Sequence, residues 1–255
     1  MTTQIVFFGS SEFSLIVLKK LLNAQGLSLC AVVTTPDAPA GRHLKLTPNP
    51  VKVFAQKNNI PVYTSPLSFP SPIISRARGC AVGEGAGGEV LGLVAAYGKI
   101  IPQSVIDIFG GHIYNIHPSL LPKYKGPSPL QQQILDGVTQ TGVTIIQLDA
   151  LTDHGPIVTQ AKSKITPTDT TVTLGVKLFS LGTDLFLSQL RKATPFKAKP
   201  QNHSLATYTH KLTRQDGFVS WEEYQTQDLD RKLRAFVGWP GVWTINPQGE
   251  RVKIS

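Results

Sequence analysis

Asn115 and His117 stand two residues apart in the run Tyr114-Asn115-Ile116-His117-Pro118. An amide of this kind can donate to an oxygen that is acquiring negative charge. An imidazole can donate to the same oxygen or move a proton near neutral pH. No serine or cysteine nucleophile with a partnered base stands beside them, so direct attack of an amine on a bound acyl group fits better than a covalent acyl-enzyme.

The surrounding pattern puts this pair at the end of a strand. Residues 112–116 follow the turn pair Gly110-Gly111 and carry two Ile and a Tyr, the signature of a strand. Successive side chains of a strand point to opposite faces, so Asn115 and His117 share one. Pro118 has no N–H for the ladder and holds His117 extended. Strand ends that give way to loops are where open α/β sheets bind ligands.

Upstream, apolar runs at 4–8 and 27–34 flank an amphipathic helix at 12–24, capped by Ser10 or Ser11. Strand, helix and strand joined by short turns imply parallel strands and a right-handed crossover. Ser11 and Ser14 stand where a dinucleotide-binding turn would need further glycines, which disfavours that ligand. Asn49-Pro50 starts a helix over 51–58, and 60–63 reads as a short strand. Further strands are expected at 91–96, 141–148 and 159–165, and helices at 127–136 and 168–192. The last helix carries Val172, Val176, Phe179 and Phe186 on or near one face. The predicted class is α/β: a Rossmann-like open, mostly parallel sheet with helices on both faces. Between these elements, Gly79, Gly83, Gly85, Gly87, Gly88 and Gly92 interrupt residues 76–92. Glycine costs roughly 1 kcal/mol relative to alanine inside a helix, so this stretch reads as a surface insertion. It lacks the Gly-Lys-Ser/Thr of a phosphate loop.

Composition narrows the class. The 255 residues are 41% hydrophobic, enough for a packed core, and hold two cysteines, Cys30 and Cys80, too few for a disulfide framework or a zinc site. No apolar run approaches the ~20 residues of a membrane span, and the N-terminus lacks a signal pattern, so a reduced, cytoplasmic enzyme is expected. The formal charge is +9, and residues 191–255 hold eleven Lys/Arg against six Asp/Glu. That bias suits a polyanionic partner such as RNA.

Asn115-x-His117, followed by Ser119-Leu120-Leu121-Pro122 and Gly126, resembles the active-site motif of the 10-formyltetrahydrofolate-dependent formyltransferases. In that family an Asp from a downstream Asp-x-Gly loop completes a catalytic set. Here Thr152-Asp153-His154-Gly155 supplies Asp153, while Asp149 is assigned to turn geometry and His154 to solvent. The resemblance implies a 10-formyltetrahydrofolate pocket lined by Val94, Ala96, Tyr97, Gly98 and Ile100, with Ser119, Leu120, Leu121 and Pro122 also at the cofactor, and no metal.

The loop at 36–50, with Pro-Asp-Ala-Pro-Ala-Gly-Arg and Pro-Val-Lys, resembles that of the methionyl-tRNA formyltransferases. It assigns tRNA contacts to Arg42 and Lys45. The connector sequences around 206–212, 217–221 and 233–241 point to the same group. On this basis residues 1–193 are the catalytic domain, 194–238 a linker, and 239–255 the incomplete opening of that family's C-terminal β-barrel, as a hairpin turning at 246–249. The implied reaction is formyl transfer to initiator methionyl-tRNA for translation initiation, by a monomer. A nucleotide-sugar amine N-formyltransferase and a non-catalytic RNA-binding relic are the other readings.

Overall fold

A computed structural model of the chain describes residues 2–40, 45–68, 90–192, 196–220 and 226–255. Arg42, Cys80 and all of the glycine-rich stretch before residue 90 lie outside them.

β1 (Thr3–Phe8), α1 (Glu12–Leu22) and β2 (Leu27–Val33) form the expected strand–helix–strand unit, with β1 and β2 parallel. Ser11 caps α1: its hydroxyl accepts the Ser14 N–H, and the Ser14 hydroxyl accepts the Ser11 N–H. A hairpin of β3 (Ala38–Ala40) and β4 (Lys45–Thr47) follows. Asn49 then caps α2 (Pro50–Lys57), which leads to β5 (Val62–Tyr63). The remaining sheet strands are β6 (Val90–Ala95), β7 (Ile113–His117), β8 (Gln140–Gln147) and β9 (Ile157–Lys164). α3 (Gln103–Ile108) separates β6 from β7, and α4 (Pro129–Leu135) separates β7 from β8. After β9 come α5 (Thr171–Leu190), α6 (Thr226–Ala235) and the strands β10 (Val242–Ile245) and β11 (Arg251–Ile254).

The sheet runs β5-β2-β1-β6-β7-β8-β9. β5 to β7 are mutually parallel, and β8 is antiparallel to both neighbours. The chain winds outward from β1 in one direction and resumes at β6 in the other. The carboxyl ends of β1 and β6 therefore bound a topological switch point.

Both faces of the sheet are covered. Ile5 and Phe7 of β1 join a core with α1, α2, α4 and α5, while Val6 and Phe8 join a second with Val105, Ile106 and Phe109 around α3. The face of α5 differs from the expected one. Leu174, Leu178, Phe179 and Phe186 are buried, but Val172 and Val176 are 47% and 45% exposed. Gly175 and Gly182 decide this, because Phe13 and Ile116 fill the space where their side chains would be. The helix approaches the sheet along the 175–182 line, and residues 172 and 176 turn outward.

A lone two-stranded hairpin is marginal in water. The β10–β11 hairpin is docked instead: Val242 is buried with Val219 and Phe236, and the Val219 N–H donates to the Trp243 carbonyl at 2.9 Å. Among the described residues, no helix is long and apolar enough to cross a membrane.

Candidate active site

A cavity of about 700 Å³ opens at the carboxyl ends of β6 and β7. Val94, Ala96, Tyr97, Gly98 and Ile100 line one side, residues 148–152 the other, and Asn115, His117 and Asp153 lie together in its wall. Asn115 and His117 share the face of β7 opposite Tyr114 and Ile116, which pack into the core beneath α5. The loop from β8 to β9 brings Asp153 back against the pair.

Asp153 Oδ1 accepts from Asn115 Nδ2 and lies 3.3 Å from it and 3.3 Å from His117 Nδ1. Its other oxygen accepts the Gly126 N–H at 2.8 Å. On the far side of the imidazole, Nε2 donates to the Tyr124 carbonyl at 2.9 Å. Both ring nitrogens of a nearly fully buried His117 thus face oxygen acceptors. Only the doubly protonated ring gives each of them a hydrogen.

Electrostatics agree with that count. Burial disfavours the charged imidazole and Lys125 repels it, but the Asp153 charge and the hydrogen bonds to Asp153 and Tyr124 outweigh both. The His117 pKa is raised. For Asp153, burial favours the neutral acid, but His117, the Gly126 N–H and Lys125 outweigh it, and its pKa is lowered. Both shifts favour the imidazolium–carboxylate pair over the neutral one.

Three non-glycine residues take positive φ here: Ala96 (47°) and Asp153 (49°) in the cavity wall, and Tyr124 (61°) behind His117. Such residues cost of order 1–3 kcal/mol each and persist where surroundings hold them. Around Ala96 the holders are serines of the α1 start. Ser14 Oγ donates to the Ala95 carbonyl at 2.7 Å, and Ser10 Oγ reaches the Tyr97 carbonyl. From the sequence, Ser10 is a candidate helix cap and Ser14 a position without the glycine of a dinucleotide-binding turn; neither reading gives these contacts. Tyr97 is buried against Phe8, its hydroxyl has no partner among the described residues, and burial pushes its pKa up.

Ser119, Leu120, Leu121 and Pro122, expected at the cofactor, do not line the cavity. Pro118 ends the strand at the wall, and the chain then turns away over β8. Thr144 Oγ1 donates to the Ser119 carbonyl and accepts the Leu121 N–H, Gln160 Nε2 donates to the Leu121 carbonyl, and Leu120 packs over Gly142. These residues fix the loop that presents Tyr124 and Gly126. Lys45 opens β4, and Arg42 lies outside the described residues.

His154 does not simply face solvent. Its Nδ1 donates to Asp149 Oδ2 at 2.7 Å, and its ring stacks on His203 with centroids 4.0 Å apart and planes within 1°. His203 Nδ1 in turn accepts from the fully buried Lys125 ammonium at 3.3 Å. Burial lowers the Lys125 pKa against the pull of Asp153 and Asp149. Lys125 and His203 are 78 positions apart, and no spacing rule links them. Among the described residues, no group of three or more His, Cys, Asp or Glu could hold a metal ion.

The family model described as Formyl transferase matches residues 3–190, and that described as Formyl transferase, C-terminal domain, matches 211–255. The chain is 41% identical over 243 residues to a methionyl-tRNA formyltransferase of Dehalococcoides mccartyi, covering 94% of this chain and 75% of that protein. A methionyl-tRNA formyltransferase of Chloroflexus aurantiacus is 40% identical over 244 residues, with 95% and 76% covered. Among solved structures, a 4-N formyltransferase from Francisella tularensis superposes with a TM-score of 0.72 at 16% identity, covering 99% of this chain and 96% of that one. HypX from Aquifex aeolicus in complex with tetrahydrofolic acid gives 0.69 at 16% identity, covering 100% and 37%. Those two likenesses establish the shared fold; the sequence identity to the first pair goes further, and the chain belongs to the methionyl-tRNA formyltransferase family.

Proposed function

We propose that the cavity takes 10-formyltetrahydrofolate and that the chain moves its formyl group to the amino group of initiator methionyl-tRNA by direct amine attack. The observation that carries this reading is the Asn115–His117–Asp153 cluster in the cavity wall. It offers an amide donor and a charged imidazole beside a space of about 700 Å³. The residues present fit the folate. The cavity is of the size of a small-ligand site, its walls are mostly apolar, and the backbone at residues 96–98 offers polar groups.

When bound, the folate would supply the formyl carbon that the amine attacks, and its nitrogen would leave with a proton as the bond to that carbon breaks, giving tetrahydrofolate. Asn115 donates its amide hydrogen to the negative charge developing on the formyl oxygen, and the His117 imidazolium stabilises the same charge. Asp153 keeps His117 protonated and takes part in proton movement away from the attacking amine. Arg42 and Lys45 contact the tRNA, with residues 1–193 as the catalytic body and 194–238 as the connector.

The deciding measurement is formyl transfer from 10-formyltetrahydrofolate to methionyl-tRNA by the purified chain, with His117→Ala in parallel. Transfer abolished in the variant supports both acceptor and site. Equal transfer by both proteins would overturn the assignment of His117. Folate binding without transfer to tRNA, but with transfer to an amino sugar, would replace the acceptor.

A further inference from the structure

Residues 199–210 lie across the two loops that hold His117 between them. At one end, Lys199 and Ile157 exchange backbone hydrogen bonds of 2.7 and 2.8 Å at the start of β9. At the other, the Thr207 carbonyl accepts the Lys125 N–H at 2.9 Å, the Thr207 hydroxyl accepts the Tyr124 N–H at 2.8 Å, and the Thr209 N–H donates to the Lys125 carbonyl at 2.7 Å. One end of the segment therefore sits on the loop that carries Asp153, the other on the loop that carries the Tyr124 carbonyl.

Gln201 makes the connection on the Asp153 side. Its Nε2 donates to the Asp153 carbonyl at 2.9 Å and to the Gly155 carbonyl at 2.7 Å. The residue is 6% exposed, and its Oε1 has no partner among the described residues. A buried amide that leaves its acceptor unmatched loses part of what burial should return. What it gains is a double donation to the two carbonyls flanking His154, at the turn where Asp153 takes φ 49°. A residue of that conformation needs outside support to hold its carboxylate in place.

We infer that Gln201 is a positioning residue for formyl transfer: it fixes the turn that sets Asp153 against Asn115 and His117. The inference rests on the catalytic roles proposed above. Other titratable groups around the pair are Lys125 from the 122–128 loop and Asp149 from the β8–β9 loop, and changing Gln201 replaces neither.

The test is the full chain with Gln201→Met, which keeps the volume and removes both donors, and Gln201→Glu, which keeps the shape and sets a carboxylate against two carbonyls. Small misplacements remote from the reacting atoms cost up to about 10²-fold in rate. The expected result is kcat lower by about 10- to 10²-fold, with KM for folate and tRNA within about threefold. The alkaline limb of kcat against pH should also move to lower pH, because His117 loses part of its ion pair. A rate close to that of the unaltered chain, or a lower rate with the limb unmoved, overturns the inference. If Gln201→Met does not fold, the Gln201→Glu protein is read by the fall in kcat at unchanged KM, because its added carboxylate acts on the His117 charge directly. His117→Ala is assayed alongside: full activity there would remove the catalytic reading itself, whereas an inactive His117→Ala with an unaffected Gln201→Met would remove only the role of Gln201.

Discussion

The Asp153 carboxylate accepts the backbone N–H of Gly126 at 2.8 Å. This bond joins two loops that belong to different crossings of the sheet, and it fixes which oxygen of Asp153 is left for Asn115 and His117. Gly126 has φ 105°, and a Cβ there would lie 2.8 Å from the Thr209 carbonyl oxygen. Glycine is what allows the peptide to turn its N–H toward the carboxylate while the connector passes behind it.

Gly126→Ala is therefore expected to lower kcat by about 10²-fold through displacement of Asp153. It should also lower Tm, since a methyl group meets backbone rather than a movable side chain. Steady-state kinetics and thermal unfolding check both parts. A variant with unchanged kcat would show that the anchor does not control the carboxylate.

Asn115→Ala and His117→Ala each remove one donor to the developing charge. Each should lower kcat by ~10²–10³-fold. Folate affinity, measured by equilibrium titration, should change little, because both residues act on charge that appears only during transfer.

The rate should fall as pH rises. His117 is active as the imidazolium and its pKa is raised above 6.5 by Asp153 and Tyr124 against burial. Activity dependent on its proton is thus complete below that value and is lost as pH climbs through the raised pKa. Asp153, with its pKa lowered below 3.8, stays ionised across this range. The acid side of the profile should be flat with respect to Asp153 until well under pH 4. A kcat profile with no fall at alkaline pH would contradict a charged His117; any rise through neutrality reports the attacking amine losing its own proton.

Asp216 offers a stability test away from the chemistry. It accepts the Thr213 N–H at 2.6 Å, the Thr213 hydroxyl at 2.7 Å and His210 Nε2 at 2.9 Å. Burial works against its charge, but these donors prevail and its pKa is pushed down to about 2. The stabilisation is present above the unfolded-state value near 3.8 and is lost as pH falls through about 2. Asp216→Asn should cost about 2 kcal/mol at neutral pH. The difference in Tm between the two proteins should shrink toward zero as the buffer approaches pH 2.

Local sequence rules suffice for the parallel unit at the N-terminus and the strand end carrying Asn115 and His117, and they single out Asp153, which the fold brings against that pair. These rest on local rules: apolar runs, caps, the period of a strand, and a short motif read against a family. The same rules do not give the outward turn of Val172 and Val176, nor the position of Ser119 to Pro122 outside the cavity lining. A motif says which residues occur together but not which side of a turn each one faces, and a helical stripe does not say where a glycine will let the helix come closest. Tertiary structure decided the rest. Lys125 meets His203, Gln201 reaches Asp153 and Gly155, and Ser14 holds the Ala95 turn across gaps of 46 to 81 positions. Side chains that far apart are brought together only by the order of strands in the sheet and by the path of the connector over it. The charge of His117 belongs to this second group. It depends on a carboxylate from one loop and a carbonyl from another, both aimed at a ring from which water is excluded.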